Sequence, residues 1–159
     1  NNLNYKGFDL NFFFQFVSGN EIYNGGGIYQ SCNACYFDNQ TRDQLDRWQN
    51  PGDITDVPQA RLFDSNGDEN STRYVSDGSY IRLKNLTFGY NLPASVLSNL
   101  SLRRARLYFS GTNLLTFTDY EGWDPEVNAD YLGGNIAFGR DFYSAPQARM
   151  YTFGIDIGF

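Results

Sequence analysis

The chain has 159 residues, and 12 Lys and Arg against 18 Asp and Glu give a formal net charge of -6. This acidic balance argues against nucleic acid as a partner, because nucleic-acid-binding proteins carry a basic footprint. Aromatic residues make up 18% of the chain and glycine occurs 16 times, so the composition predicts an all-β fold.

Two strands are predicted at the N-terminal end, at about 1–5 and 8–18, with a tight turn through Tyr5, Lys6 and Gly7. The second strand shows the period-2 alternation typical of a sheet with two different faces. Its apolar face carries Phe8, Leu10, Phe12, Phe14 and Phe16. A soluble sandwich with these side chains in its core gives the same pattern, so this alternative stays open here.

A long polar connection follows at about 19–77, and its length predicts a functional loop. Within it, Asn39 is a candidate cap for a short helix over residues 41–49. Asp64, Asn66, Asp68 and Asn70 alternate as calcium ligands do, but the Gly and Glu positions of such a loop are not matched. A solvated polar turn is the preferred interpretation.

The two cysteines form a C-x-x-C motif, Cys32 and Cys35. With no His and no second Cys pair, a zinc site within the chain is not expected. A loop disulfide or two free thiols are favoured over redox catalysis, because no thioredoxin-like pattern surrounds the motif. No nucleophile with a matching base is found either. We therefore predict no catalytic, cofactor-binding or metal-binding residues and no enzymatic activity.

Three more strands are predicted at about 78–92, 103–117 and 149–159, with a second long loop at about 118–148. The apolar residues change parity within the strand at 78–92. Two explanations stay open. A β-bulge near Asn85 would reverse the parity. Alternatively, the first half of the strand lies outside the lipid of a membrane, where the alternation need not hold. Arg103, Arg104 and Arg106 are interpreted as solvated or lumen-facing charges rather than as an anion site.

The last strand is the strongest indication of a membrane protein. A tilted strand of this length rises roughly 28 Å, close to the apolar band of an outer-membrane barrel. No uninterrupted apolar stretch of about 18 residues is present to form a membrane helix, but barrel strands need only alternate apolar residues. One face of this closing strand is predicted to meet lipid: Tyr151, Phe153, Ile155, Ile157 and Phe159.

The strand directions then place both long loops on one side of the sheet and both short turns on the other. In outer-membrane barrels the long loops are extracellular. Because the chain starts at Asn1 and its only methionine is Met150, it is expected to be part of a longer protein.

Several segments resemble the C-terminal end of the SusC/RagA family of TonB-dependent outer-membrane transporters. The most specific is DGSYIRLKNLTFGY at 77–90. The other matching segments lie at 5–10, 19–24, 47–58, 110–117, 124–126 and 149–154.

The resemblance implies an antiparallel transmembrane β-barrel segment, the C-terminal strands of a 22-stranded plugged barrel with long extracellular loops. The plug domain is outside this chain. It also implies the outer membrane of a Gram-negative bacterium as the location, and a SusD-like surface lipoprotein as partner. TonB, through the missing N-terminal part, and the barrel-assembly machinery, which recognises a terminal aromatic residue, are further implied partners. The implied cargo is oligosaccharides, with peptides in some members.

TonB-dependent nutrient import is therefore the leading functional hypothesis. The alternative is a secreted β-sandwich that binds glycans through exposed aromatic residues. Trp48 and Trp123, one in each long loop, are candidate contacts with cargo or lipoprotein, and packing of the loops is the competing interpretation.

Overall fold

A computed structural model describes residues 1–32, 35–64, 66, 69–126 and 138–159. The chain forms two compact units. The first contains Asn1–Ser18, Ser79–Asp119 and Gln147–Phe159, and the second contains Gly19–Gly78 and Tyr120–Pro146. The second unit therefore consists of the two segments predicted as long loops.

The described residues form eight strands and four short helices. The strands are β1 (Asn2–Tyr5), β2 (Phe8–Val17), β3 (Glu21–Asn24), β4 (Val75–Asp77), β5 (Tyr80–Asn91), β6 (Arg104–Thr118), β7 (Arg140–Asp141) and β8 (Met150–Gly158). The helices are α1 (Gly27–Gln30), α2 (Ala94–Asn99) and two 3-10 helices, Arg42–Asp46 and Thr72–Tyr74. Strands dominate, which confirms the all-β prediction. No helix in the described ranges combines the length and the apolar character that membrane crossing requires.

The first unit is a five-stranded antiparallel sheet in the order β1-β2-β5-β6-β8. Strands β1 and β8 are its two edges within the described residues, so the sheet is open. The closed barrel implied by the family resemblance is thus not formed by these strands alone.

The β1–β2 hairpin turns through Lys6 and Gly7, whose φ values are 47° and 87°. Two successive residues with positive φ form a type I′ turn, whose twist matches that of the two strands. The tight turn predicted at this position is confirmed.

One face of this sheet is apolar along its whole length. A single row across four strands illustrates this, because Leu10, Phe88, Phe109 and Phe153 are in register. The rings of Phe109 and Phe153 lie 5.1 Å apart between centroids.

A bulge keeps this apolar face continuous. The register between β2 and β5 shifts at Lys84, the extra residue in β5. The predicted bulge near Asn85 is therefore confirmed, one residue earlier in the chain. Because an extra residue reverses the side-chain parity, Ile81 and Leu83 join Leu86 on the apolar face.

The opposite face is largely polar, although Phe13 on β2 is 51% exposed there, and it carries ion pairs between strands. Arg106 on β6 donates from Nε and Nη2 to both carboxylate oxygens of Asp9 on β2, the Nε–Oδ1 distance being 3.0 Å. Arg104 donates to Asp156 on β8 at 2.9 Å. Two of the three clustered arginines are thus paired with carboxylates, which the sequence pattern did not predict.

The Arg106–Asp9 pair passes over β5 at Gly89. A Cβ atom at this position would lie 2.5 Å from Nη2 of Arg106 and 2.6 Å from Oδ1 of Asp9. Any other residue would require the charged ends of Arg106 and Asp9 to shift, so glycine gives the two groups room to meet across the intervening strand.

The second unit has a small sheet in the order β4-β3-β7, with β3 antiparallel to β4 and parallel to β7. Ile22, Tyr74 and Tyr120 are buried in this unit. The long polar connection predicted at 19–77 is therefore not an irregular loop, because part of it forms a sheet with a core. The sequence pattern did not predict β3 and β4, because strands of only three or four residues are too short to show a clear alternation.

Two other expectations in this unit are decided by the structure. Cys32 and Cys35 form a disulfide, with 5.6 Å between their Cα atoms. The short helix predicted over 41–49 is confirmed only in part, as a 3-10 helix at Arg42–Asp46. Its N-cap is Thr41 rather than Asn39. Asp68 of the calcium-like pattern lies outside the described residues.

Candidate functional site

The second unit carries a polar groove that is formed by two cavities with a shared wall. Their volumes are about 120 Å³ and 370 Å³. Four residues line both cavities: Asn24, Gln30, Thr41 and Glu121. Trp123, Tyr143 and Asp141 complete the smaller cavity, which we call the aromatic cavity. Ser31, Asp43, Arg73 and Tyr74 contribute to the larger one, which we call the charged cavity.

Two residues of the glycine run 25–27 line the groove, Gly26 in the aromatic cavity and Gly27 in the charged cavity. The side-chain oxygen of Asn24 accepts a hydrogen bond of 3.0 Å from the backbone N–H of Gly27, which opens α1. A Cβ atom on Gly27 would lie 2.7 Å from the ring of Tyr74, too close for any other residue type. The run thus permits close packing of a helix turn against a buried ring.

Thr41 fixes the wall that both cavities share. Its backbone N–H and its hydroxyl both donate to the carbonyl oxygen of Gln30, at 2.8 Å and 3.0 Å. Two bonds to one carbonyl hold these distant parts of the chain together.

The charged cavity contains a fixed network around Ser31. Arg73 donates to the carbonyl and the hydroxyl oxygen of Ser31, at 2.8 Å and 3.0 Å, and lies 3.6 Å from a carboxylate oxygen of Asp43. Desolvation opposes ionisation of Asp43, but hydrogen bonds from Ser31, Thr41 and Gln44 and the charge of Arg73 outweigh it. The pKa of Asp43 is therefore lowered, and the positive charge of Arg73 is balanced within the cavity.

The aromatic cavity is bordered by a buried carboxylate. Asp141 is 6% exposed and accepts hydrogen bonds from the Tyr120 hydroxyl, at 2.9 Å, and from the backbone N–H of Ser144, at 3.2 Å. Burial, followed by the bond to Asp141 and its charge, raises the pKa of Tyr120, so this tyrosine remains a hydrogen-bond donor.

Tyr143 has a φ of 52° although it is a bulky aromatic residue. The left-handed region is strained for such a side chain, and strain of this kind concentrates at functional sites. Partial burial, then the charges of Asp38 and Tyr29, raise the pKa of the Tyr143 hydroxyl.

Glu121 lies at the junction of the two cavities and is exposed. Its carboxylate has no hydrogen bond or ion pair with any described residue, unlike Asp43 and Asp141. Among the carboxylates that line the groove, Glu121 is thus the one without a hydrogen bond or ion pair to a described residue.

The two tryptophans predicted as contacts for cargo or lipoprotein lie in different environments. Trp123 is 67% exposed and lines the aromatic cavity. Trp48 is half-buried outside both cavities, and its backbone N–H donates to the carbonyl oxygen of Val57 at 2.9 Å. Sequence reasoning missed Tyr143, Glu121, Asn24 and Gln30, since their convergence depends on contacts between distant segments.

The five side chains predicted to meet lipid are exposed on one face of β8 and the residue after it. The exposed fractions range from 48% to 85% for Tyr151, Phe153, Ile155, Ile157 and Phe159. Among the described residues, no group of three or more His, Cys, Asp or Glu side chains could hold a metal ion.

An antiparallel sheet with one exposed apolar face and one polar face is typical of transmembrane β-barrels. The chain is similar over its full length to TonB-dependent receptors of Formosa agariphila. It is 44% identical to TonB-dependent receptor P3 and 36% identical to TonB-dependent receptor P26. In both cases it spans only 16% of the relative's length. No family model matches the chain.

Solved structures of the RagAB peptide importer show the same fold. The closed-closed state aligns with a TM-score of 0.76 and 29% identity, covering 98% of this chain and 16% of that one. The open-open state gives 0.74 and 28% with the same coverage. The chain is thus a segment of a TonB-dependent receptor of the SusC/RagA type. These relatives are receptors and importers rather than enzymes, in agreement with the sequence prediction.

Proposed function

We propose that this chain forms the last strands and two outer loops of a TonB-dependent importer in the outer membrane of a Gram-negative bacterium. The observation that carries the proposal is the continuous exposed apolar face of the first unit. Exposed apolar surface of this extent is unfavourable in water and favourable against lipid. The row Tyr151, Phe153, Ile155, Ile157 and Phe159 then faces lipid, and the ion-paired face is directed toward the lumen.

The open edges of the sheet fit this role. Strands β1 and β8 each have unpaired backbone groups on one side, and such edges do not persist in hydrocarbon. Other strands of the same receptor would pair with them to close a barrel of 22 strands around a plug. The terminal Phe159 would then be recognised by the barrel-assembly machinery.

The proposed cargo is a nutrient, either an oligosaccharide or a peptide. One relative of known structure, RagAB, is a peptide importer. The proposed partners of the whole receptor are a SusD-like surface lipoprotein at the outer loops and TonB in the periplasm.

The test is fractionation of cells that produce the full-length receptor, followed by nutrient uptake with and without TonB. We expect the receptor in the outer-membrane fraction, extracted only by detergent, and uptake that disappears in cells lacking TonB. Recovery of native receptor in the aqueous fraction would favour the secreted β-sandwich instead.

We predict different effects for the two tryptophans. Trp123→Ala should reduce uptake or lipoprotein capture, because Trp123 is exposed in the groove. Trp48→Ala should leave both unchanged, because Trp48 lies outside it. Uptake and lipoprotein pull-down are measured side by side at equal receptor abundance. Equal loss in both variants would contradict a specific role for the groove.

A further inference from the structure

We propose that the groove binds a protonated amine, such as the α-amino group or a lysine side chain of a peptide, between Glu121 and Trp123. This inference rests on the proposed import function and specifies which cargo the outer loops recognise.

The groove carries more negative than positive charge. The described lining of the aromatic cavity contains the carboxylates of Glu121 and Asp141 and no Lys or Arg. In the charged cavity, Arg73 is balanced by Asp43. The groove therefore has an excess of negative charge, and low-dielectric walls strengthen its field.

The two carboxylates of the aromatic cavity differ in burial and in hydrogen bonding. Asp141 is buried, and both of its oxygens accept hydrogen bonds from Tyr120 and Ser144. Glu121 is exposed and has no partner among the described residues. A ligand cation can therefore pair with Glu121, while Asp141 adds to the negative potential.

Two aromatic side chains form one wall of the aromatic cavity. Trp123 is 67% exposed and Tyr143 is 44% exposed, and both line the aromatic cavity. An indole face attracts a cation within about 6 Å of the ring centre. The cavity volume of about 120 Å³ corresponds to about four liquid waters, which is enough for an alkylammonium group.

These features favour a charged amine over a neutral glycan. An ammonium group neutralises Glu121 and uses the aromatic face at the same time. A neutral sugar can stack on Trp123, but it leaves the excess charge of the groove unbalanced. The shared amide residues Asn24 and Gln30 would hydrogen-bond to the peptide backbone beside the amine.

The test measures binding to the detergent-purified full-length receptor by calorimetry. The probes are the peptide Lys-Gly-Gly, its fully N-acetylated form and the neutral glycan cellotriose. We expect Lys-Gly-Gly to bind and the acetylated form to bind at least tenfold more weakly. Glu121→Gln should weaken binding of Lys-Gly-Gly about fivefold, and Trp123→Leu about 3- to 30-fold. Higher salt should weaken binding further.

Glu21→Gln is the matched control, because Glu21 belongs to β3 in the same unit and lines neither cavity. It should bind Lys-Gly-Gly like the unmodified receptor. Equal binding of the free and acetylated peptides, binding of cellotriose alone, or no effect of Glu121→Gln would overturn the inference. Because the measurement needs no transport, amine binding without TonB-dependent uptake would count against the proposed function while supporting this inference.

Discussion

Replacing Phe153 by Arg is expected to destabilise the membrane-embedded receptor by about 2–4 kcal/mol, the cost of a cation on the lipid face near mid-depth of a barrel. Phe153 is 79% exposed in the middle of β8, on the apolar face of the sheet. Burying a guanidinium group in hydrocarbon removes its hydration without supplying a partner.

Thr152→Arg is the matched control, because it introduces the same side chain one residue away on the opposite face. Thr152 is exposed and lies in register with Ser110 on the polar side of the sheet. Its side chain faces water or the plug if the barrel assignment is correct. Heat-modifiable gel mobility of membrane fractions reports the folded amount of each variant. Equal assembly of the two Arg variants would show that the faces are assigned wrongly.

Gly89→Ala is expected to destabilise the folded receptor by about 1–3 kcal/mol, because it forces apart a charge-assisted bidentate pair. The new Cβ atom would lie within 2.6 Å of both Arg106 and Asp9. Both side chains are partly buried, with 25% of each exposed, so water replaces the lost bonds only in part. The measurement is the unfolding midpoint of the purified receptor in urea, followed by gel mobility.

Gly158→Ala serves as the control for the loss of a glycine in the same sheet. Its Cβ atom would meet its nearest neighbour, the Cβ of Arg104, at an ordinary distance of 3.4 Å. It should therefore leave the midpoint nearly unchanged. In an Arg106→Gln background, Gly89→Ala should cost less than in the unmodified receptor, because the pair is already weakened. A full cost in that background would assign the effect to backbone strain instead.

The strands of the first unit could be predicted because each has a long local pattern. Over the ten residues of β2 or the nine of β8, few structures other than a strand place the alternating apolar and polar side chains on opposite faces. The bulge at Lys84 was also predictable, since the parity change at Ile81 and Leu83 conflicts with an unbroken strand. The arginine pairs were not, because Asp9 lies 97 positions from Arg106 in the chain.

The groove, in contrast to the strands, could be predicted from the sequence only in part. Trp123 was a candidate because a large aromatic residue in an outer loop could contact cargo or lipoprotein, and the structure places it in a cavity wall. Trp48 was chosen for the same reason but lies outside the groove, since composition does not show which loop segments meet. The C-x-x-C motif left a disulfide and free thiols equally open, and the structure shows the disulfide, with 5.6 Å between the two Cα atoms.

The sequence alone determined the all-β character, the two faces of the sheet and the family resemblance, because these depend on local periodicity and on ordered matching segments. Only the tertiary structure showed that the two long loops form one compact unit with its own sheet. It also brought Glu121 beside Asn24 and Gln30, far away in sequence, and left its carboxylate without a partner among the residues that the structure describes. Contacts between distant segments cost loop-closure entropy, and packing across the whole unit offsets this cost. A local sequence pattern therefore does not predict such a site.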